Sequence, residues 1–392
     1  MRYTPKTELD QRVAKLQVLL KQRTIDGVIL VQNADLFYFS GTVQQSHLFI
    51  PAEGAPVLLV KKSYERAQEE SSLENIVYLD NLKSMFNLLQ SYGYRDFKTL
   101  GFELDVLPAS LYLRYQKLVQ PAKIVDASPL IRTVRMIKSD YELEILRDAA
   151  RMNTEVFSLV KANLREGMSE LKLAAMVEGF SREKGHPGIV RIRGFNQDLT
   201  QTHIVSGRNT NPSYFWGAVG GKGVSPAFAQ GASDKLIGRD EPVFVDYGFI
   251  CDGYLIDQTR TFCIGKLADH LVQAYTVATQ ILSQMETLAK PGVPCGKLHD
   301  LALQIAGQSP FGQHFTGYPT PLAFVGHGIG LELDEWPVIG HGFDAPLEAG
   351  MVIALEPKFT FPDGAVGIEN TYVVTQDGME TLTVYDEEIL YI

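Results

Sequence analysis

Two stretches decide how this chain is read: VFVDYGFICDGYLIDQTRTF at 243–262 and VIALEPKFTFPDGAVGIENTYVV at 352–374. Both are rich in β-branched and aromatic residues, and each is broken by an Asp-Gly pair, Asp252-Gly253 or Asp363-Gly364. Asp-Gly between such runs is a hairpin signal, because the tight turn needs residues that tolerate positive φ. Each hairpin carries two carboxylates. Asp246 lies six residues before Asp252 and Asp257 five after it; Glu356 lies seven before Asp363 and Glu369 six after it. Folding back at the turns sets each pair roughly opposite one another across neighbouring strands.

Opposed like charges destabilise a sheet, and buried carboxylates are costly unless paired or bound to a cation. Arg260 and Lys358 lie nearby, one to each hairpin, and the sequence puts neither in a position to serve both pairs. Divalent cations would serve best. A nitrogen ligand is at hand in PLAFVGHGIGLEL (321–333), where glycines on both sides of His327 let the backbone come close. Carboxylates with one imidazole suit Mn²⁺, Co²⁺, Fe²⁺ or Zn²⁺ better than they suit a Cys-rich structural zinc site. Four carboxylates and one histidine are the right number for two ions about 3.5–4 Å apart, bridged by a water or hydroxide. Such a water is a nucleophile near neutral pH, its pKa falling from about 15.7 to near 7. The chemistry expected is hydrolysis. One buried strand aspartate is more often a hydrogen-bonded structural residue; the repetition on two hairpins is what points to metal.

The 392 residues are too many for one ordinary core and about right for two domains. Residues 1–130 alternate between strand and helix signals and are expected to form an α/β domain. Val13, Leu16 and Leu20 share a helical stripe within 8–23, and GVILVQ (27–32) is a buried strand. Short extended pieces follow near 36–40, 47–51 and 56–61, then a helix from about Ser63. Next come strand IVYLD (76–80), a helix over 84–92 and strands TLGFEL (99–104) and KIVDA (123–127). A linker at 131–140 leads to a second domain, 141–392. Ser139-Asp140-Tyr141-Glu142 is a capping-box pattern that opens a long helix. This domain repeats an order of elements: a long helix, a glycine break, a second helix and a strand pair. The glycine breaks are Gly167 and Gly292. Two similar halves facing one another are expected.

Composition excludes other classes. Net charge is −10 with no Lys/Arg block, which argues against nucleic acid as a partner. No apolar run approaches the roughly 20 residues of a membrane span. The N-terminus MRYTPKTELDQR has no apolar signal-peptide core, and Cys251, Cys263 and Cys295 show no close pairing. The cytoplasm is the default address.

The segments VDYG…GYLIDQTRTF, GHGIGLELDEWP, IALEP and GIENTYVVT together resemble the metallopeptidase family of aminopeptidase P, prolidase and methionine aminopeptidase, the first two most closely. The N-terminal domain and PLIRTVRMIKSDYELEILRDAA are similar too, so the resemblance covers nearly the whole chain. It implies a "pita-bread" α+β C-terminal domain with two similar halves, and a homodimer. It puts Asp246, Asp257, His327, Glu356 and Glu369 on the family's five metal-ligand positions, with two divalent ions per chain, manganese favoured. Glu356 would both bridge the ions and take the proton from the nucleophilic water. The substrate implied is a short peptide with proline in second position.

Three positions depart from that pattern. The family's histidine seven residues after the ligand histidine is Asp334 here, and another, after a proline, is Ser213. The usual arginine two residues before the last glutamate ligand is Gly367. The first two are candidate substrate contacts, and an ionised Asp334 cannot donate the hydrogen bonds that stabilise an oxyanion. A substrate that is a non-peptide amide, or a lyase substrate, therefore stays open. So does a non-catalytic binding role, although the intact ligand set counts against it.

Overall fold

A computed structural model describes residues 2–211 and 217–392. The chain divides into two compact units: Met1–Arg135 with Arg193–Asn196, and Met136–Ile192 with Gln197–Ile392. Much of the span expected as a linker is ordered as helix, Ser128–Met136, and the next helix starts at Asp140.

The first unit is built on a mixed six-stranded sheet. Across it run Asn75–Tyr78, Val57–Val60, Ser46–Pro51, Gly27–Leu30, Thr99–Phe102 and Lys123–Asp126. Gly27–Leu30 is buried along its whole length, as its unbroken apolar run demands. Ile29, Phe49, Leu59, Leu100 and Phe102 anchor the core. One expectation fails here. Residues 36–40 are not extended but lie in the helix Asn33–Ser40. The Gln32 side chain caps it by accepting from the Asp35 amide, and Gly41, at φ 77°, stops it. Cap chemistry in a short segment outweighed the aromatic β preference.

The second unit opens as expected. The Ser139 Oγ accepts from the Glu142 amide at 3.3 Å, and the Glu142 carboxylate accepts from the Ser139 amide at 3.0 Å. Such a cap is worth about 1 kcal/mol. Helices Asp140–Asn163 and Glu170–Glu183 precede a four-stranded sheet that contains Pro242–Tyr247 and Thr259–Cys263. Helices Asp269–Leu288 and Cys295–Gln308 precede a five-stranded sheet that contains Phe324–Gly328, Val352–Leu355 and Asn370–Val374. The order helix, helix, sheet occurs twice. Thr259 and Glu369 exchange backbone hydrogen bonds of 3.3 and 3.2 Å, joining the two sheets where the carboxylates lie. No helix among the described residues is long and apolar enough to cross a membrane.

Candidate metal centre

Strand register gathers the acids. In the first hairpin Asp246 pairs with Thr259, and Ile250–Cys251 pairs with Tyr254–Leu255 around the turn. Asp252 and Gly253 take φ values of 43° and 93°, the left-handed turn that their sequence signalled. Asp257 lies two residues from Thr259, so this pair is diagonal rather than directly opposed. In the second hairpin Leu355 pairs with Asn370, and Lys358 with Gly367. The same register carried between those pairs sets Glu356 opposite Glu369. Here Pro362 and Asp363 form the loop and Gly364 already pairs with Phe361.

His327 comes from the next strand, paired with Ala354 and Val338. The flanking glycines are required. A Cβ on Gly326 would lie 2.4 Å from the Ala354 carbonyl oxygen, and one on Gly328 would lie 2.1 Å from that of Trp336. The His327 Nδ1 sits 3.0 Å from the Gly328 carbonyl oxygen. A carbonyl only accepts, so Nδ1 carries the proton, and in the neutral ring Nε2 keeps a lone pair for a cation. Nε2 lies 3.6 Å from Glu356 Oε1. Asp257, His327 and Glu369 each offer a ligand atom within 4.8 Å of the others, and all three are buried. Glu369 Oε1 is buried without a hydrogen-bond partner.

The expectation that no basic side chain serves both hairpins is overturned by Lys358. Its Nζ lies 3.1 Å from Asp246 Oδ2, 2.8 Å from Glu356 Oε2 and 3.0 Å from Glu369 Oε2. The stem crosses the facing strand where Gly367 leaves room; a Cβ there would meet Lys358 Cγ at 2.7 Å. The departure at Gly367 thus has a counterpart on the opposite strand. Arg260 plays a different part. It is fully buried, and its guanidinium donates to the carbonyls of Thr259 and Glu369 and to the Asn370 side chain, not to the four carboxylates.

One ammonium does not balance four carboxylates. Burial pushes the Asp257 carboxyl well above its ordinary range, and Glu369 and Asp246 add to the rise. Glu369 is pushed up to about 7 by burial; Lys358 opposes the rise, and Asp246 and Glu356 add to it. Burial would raise Asp246 also, but Lys358 and His203 outweigh it and hold the group low. For His327, burial lowers the pKa but is outweighed by Asp334, Glu356 and Glu369, so the group is raised, and a cation at Nε2 would take the place of that proton. A site with surplus negative charge, a buried carboxylate oxygen without a partner and a lone-pair nitrogen has the donor chemistry of a divalent-ion site.

Of the two candidate substrate contacts, Asp334 is brought to the centre, with Oδ1 3.6 Å from His327 Nδ1. It lies on the ring's far side from Glu356. Ser213 lies outside the described residues. Two neighbours carried no signal in the sequence. Thr259 donates from Oγ1 to Glu369 Oε2 at 2.7 Å. His203 pairs with Asp246 across the sheet and has a buried Nε2 without a hydrogen-bond partner. A lone strand histidine or threonine is ordinary, and only register reveals these two. Thr371 locks Asp257 from behind, exchanging hydrogen bonds of 2.7 and 2.9 Å with its backbone.

Comparison with known proteins identifies the family and the fold. The model of the Creatinase/Prolidase N-terminal domain matches residues 12–137, and that of Metallopeptidase family M24 matches residues 144–376. An Xaa-Pro dipeptidase of Pyrococcus furiosus is 27% identical over 386 residues, covering 97% of this chain and all of the relative. The structure of an Xaa-Pro dipeptidase from Bacillus anthracis superposes with a TM-score of 0.83 at 25% identity, covering 98% of this chain and 100% of that one. A prolidase from Pyrococcus horikoshii OT3 gives 0.81 at 26%, covering 97% and 100%. A prolidase-type N-terminal domain, a pita-bread C-terminal domain and a buried acid–histidine centre make this chain a member of metallopeptidase family M24.

Proposed function

We propose that this protein is a metal-dependent peptidase that hydrolyses the bond before proline in short Xaa-Pro peptides. The observation that carries the reading is the buried group Asp257, His327 and Glu369, with Glu369 Oε1 left without a partner. Asp246, Asp257, His327, Glu356 and Glu369 would hold two divalent ions, manganese first and cobalt, iron or zinc as alternatives. When bound, such ions polarise a carbonyl and bring the pKa of water from about 15.7 to near 7.

The chain's own groups do the rest. Glu356 is the proton acceptor: Oε1 faces His327 Nε2 at 3.6 Å, and Oε2 is held by Lys358 at 2.8 Å, so one oxygen is fixed and the other is open. The Gly328 carbonyl fixes the His327 tautomer, and Thr259 and Lys358 fix the rotamer of Glu369. A homodimer and a cytoplasmic location belong to the same reading, the first checked by light scattering, where a monomer would reject it.

One observation supports a second reading. Asp334, an acceptor when ionised, stands 3.6 Å from His327, which favours substrates bearing an amine or amide N–H over an oxyanion-stabilising role. The test joins metal content to cleavage of a panel of Xaa-Pro dipeptides and tripeptides and non-peptide amides. Bound transition ions with Xaa-Pro cleavage support the first reading. Ions with cleavage of the non-peptide amides alone support the second. No ion bound after incubation with Mn²⁺ or Co²⁺ rejects both.

A further inference from the structure

The acid cluster is divided unequally. On one side a cation is already in place, with Lys358 Nζ within 3.1 Å of Asp246, Glu356 and Glu369. An ammonium has three protons, and here each has a carboxylate oxygen to meet. On the other side Asp257, His327 and Glu369 converge with no lysine or arginine in ion-pair distance of Asp257 among the described residues. Glu369 shows the division within one side chain: Oε2 receives both Thr259 and Lys358, whereas Oε1 is buried and has no partner.

The lysine is built into its place. Its side chain is only 6% exposed. It issues from a strand pair in which Phe359 and Phe361 are buried and Gly367 opposite makes room for the stem. Phe244 lies beneath the ammonium, 5.5 Å from Nζ to the ring centroid. Three converging carboxylates around one nitrogen define a cation position, and an ion arriving there must displace the ammonium.

We propose that Lys358 is a tethered cation that holds one of the two ion positions, making ion binding ordered and unequal. The Asp257–His327–Glu369 position fills first. The position bounded by Asp246, Glu356 and Glu369 fills only when Lys358 withdraws. This inference rests on the reading of the cluster as a metal site and adds its order of loading. The chain would then work at low ion concentration with one tightly held ion, and a second ion would act as a concentration-dependent modulator.

The test is calorimetric titration of the chelator-treated full chain with Mn²⁺, paired with metal counts after equilibrium dialysis. The wild type should take one tight ion and a second at least about tenfold weaker, a gap of about 1.4 kcal/mol. Lys358→Met should narrow that gap at least about tenfold by tightening the second ion, and Lys358→Arg, which keeps the charge, should preserve a gap. Should Lys358→Met fail to fold without ions, the wild-type isotherm and the arginine variant still decide. Two equal tight ions in the wild type, or an unchanged gap in Lys358→Met, would overturn the inference and leave the peptidase reading standing. A wild type that binds no Mn²⁺ overturns both.

Discussion

Each unit of this protein buries a cluster of acids, and the two clusters are balanced in opposite ways. In the first unit Asp35, fully buried, receives Arg135 Nη1 at 2.6 Å and Arg193 Nη1 at 2.7 Å. Arg193 also grips Asp105 with Nε and Nη2 at 2.6 and 2.8 Å. Glu103 accepts from the amides of Val31 and Gln32. Every carboxylate there has a guanidinium or backbone donors. In the second unit four carboxylates share one lysine, and a buried oxygen of Glu369 has no partner. Burying a charge is tolerated when its partner comes with the fold. A cluster that leaves charge unanswered needs a partner from outside. The first cluster brings its own donors, although burial and Asp35 still push Glu103 well above its ordinary range; the second is built to receive.

The largest expected difference between the clusters comes from deleting one acid from each. Asp257→Ala removes a ligand and a buried carboxyl that no lysine or arginine answers among the described residues. Hydrolysis of an Xaa-Pro peptide should fall about 10³-fold or more, as expected when several kcal/mol of ion-derived stabilisation are lost. Its thermal stability without ions should hold or rise, because burial and the neighbouring acids disfavour the ionised carboxyl that is removed. Asp35→Ala should do the reverse. It takes the Asp35 carboxylate away from Arg135 and Arg193, and breaking a buried pair costs about 3–5 kcal/mol, less for Arg193, which keeps Asp105. Denaturant unfolding of both variants measures the contrast. Equal destabilisation would show that the clusters are not different in kind.

A second test asks what the units share. His47 in the first unit and His186 in the second both have a pKa lowered to about 4, in each case mainly by burial. The folded forms are neutral while the unfolded imidazoles titrate near 6.5. The unfolded chain therefore binds more protons between those values, and stability falls as pH drops from about 6.5 toward 4. It is fully present above 6.5. Each histidine contributes at most about 3 kcal/mol. Urea unfolding against pH should flatten in His47→Gln and His186→Gln by similar amounts. The units would then respond alike to acid and differ only in their response to metal.

How much of this was legible in the sequence depends on the kind of contact. The Asp-Gly turns, the alternating apolar strands and the capping box at Ser139 are local signals, and the four acids were read from the two hairpins and His327 from its glycine-flanked segment. Lys358 could not be assigned, because its reach depends on a register that sets it against Gly367 and on the space that glycine leaves. Arg260 carries the same formal charge on the other hairpin yet spends it on carbonyl groups. Charge is visible in a sequence; direction is not. The helix at Asn33–Ser40 was missed for a related reason, since the cap at Gln32 is a side-chain contact rather than a periodic pattern.

The smallest effect concerns the neighbour that holds Glu369. Thr259 is fully buried, and its hydroxyl donates to the oxygen that also receives Lys358. Thr259→Val keeps the shape and removes the donor. A lost hydrogen bond to a charged group costs about 1.5–3 kcal/mol, part of which is recovered here because Lys358 still holds the same oxygen. Mn²⁺ affinity should fall about tenfold while the urea midpoint barely moves, since the first sheet keeps its backbone pairing at Thr259 and Asp246. The outcome separates two accounts of the cluster. If affinity falls and stability does not, the threonine serves the ion, and the second unit's polar contacts are arranged to hold a cation. If stability falls and affinity does not, Thr259 belongs to the sheet alone, and the contrast with the self-balanced cluster around Asp35 narrows to the missing charge itself.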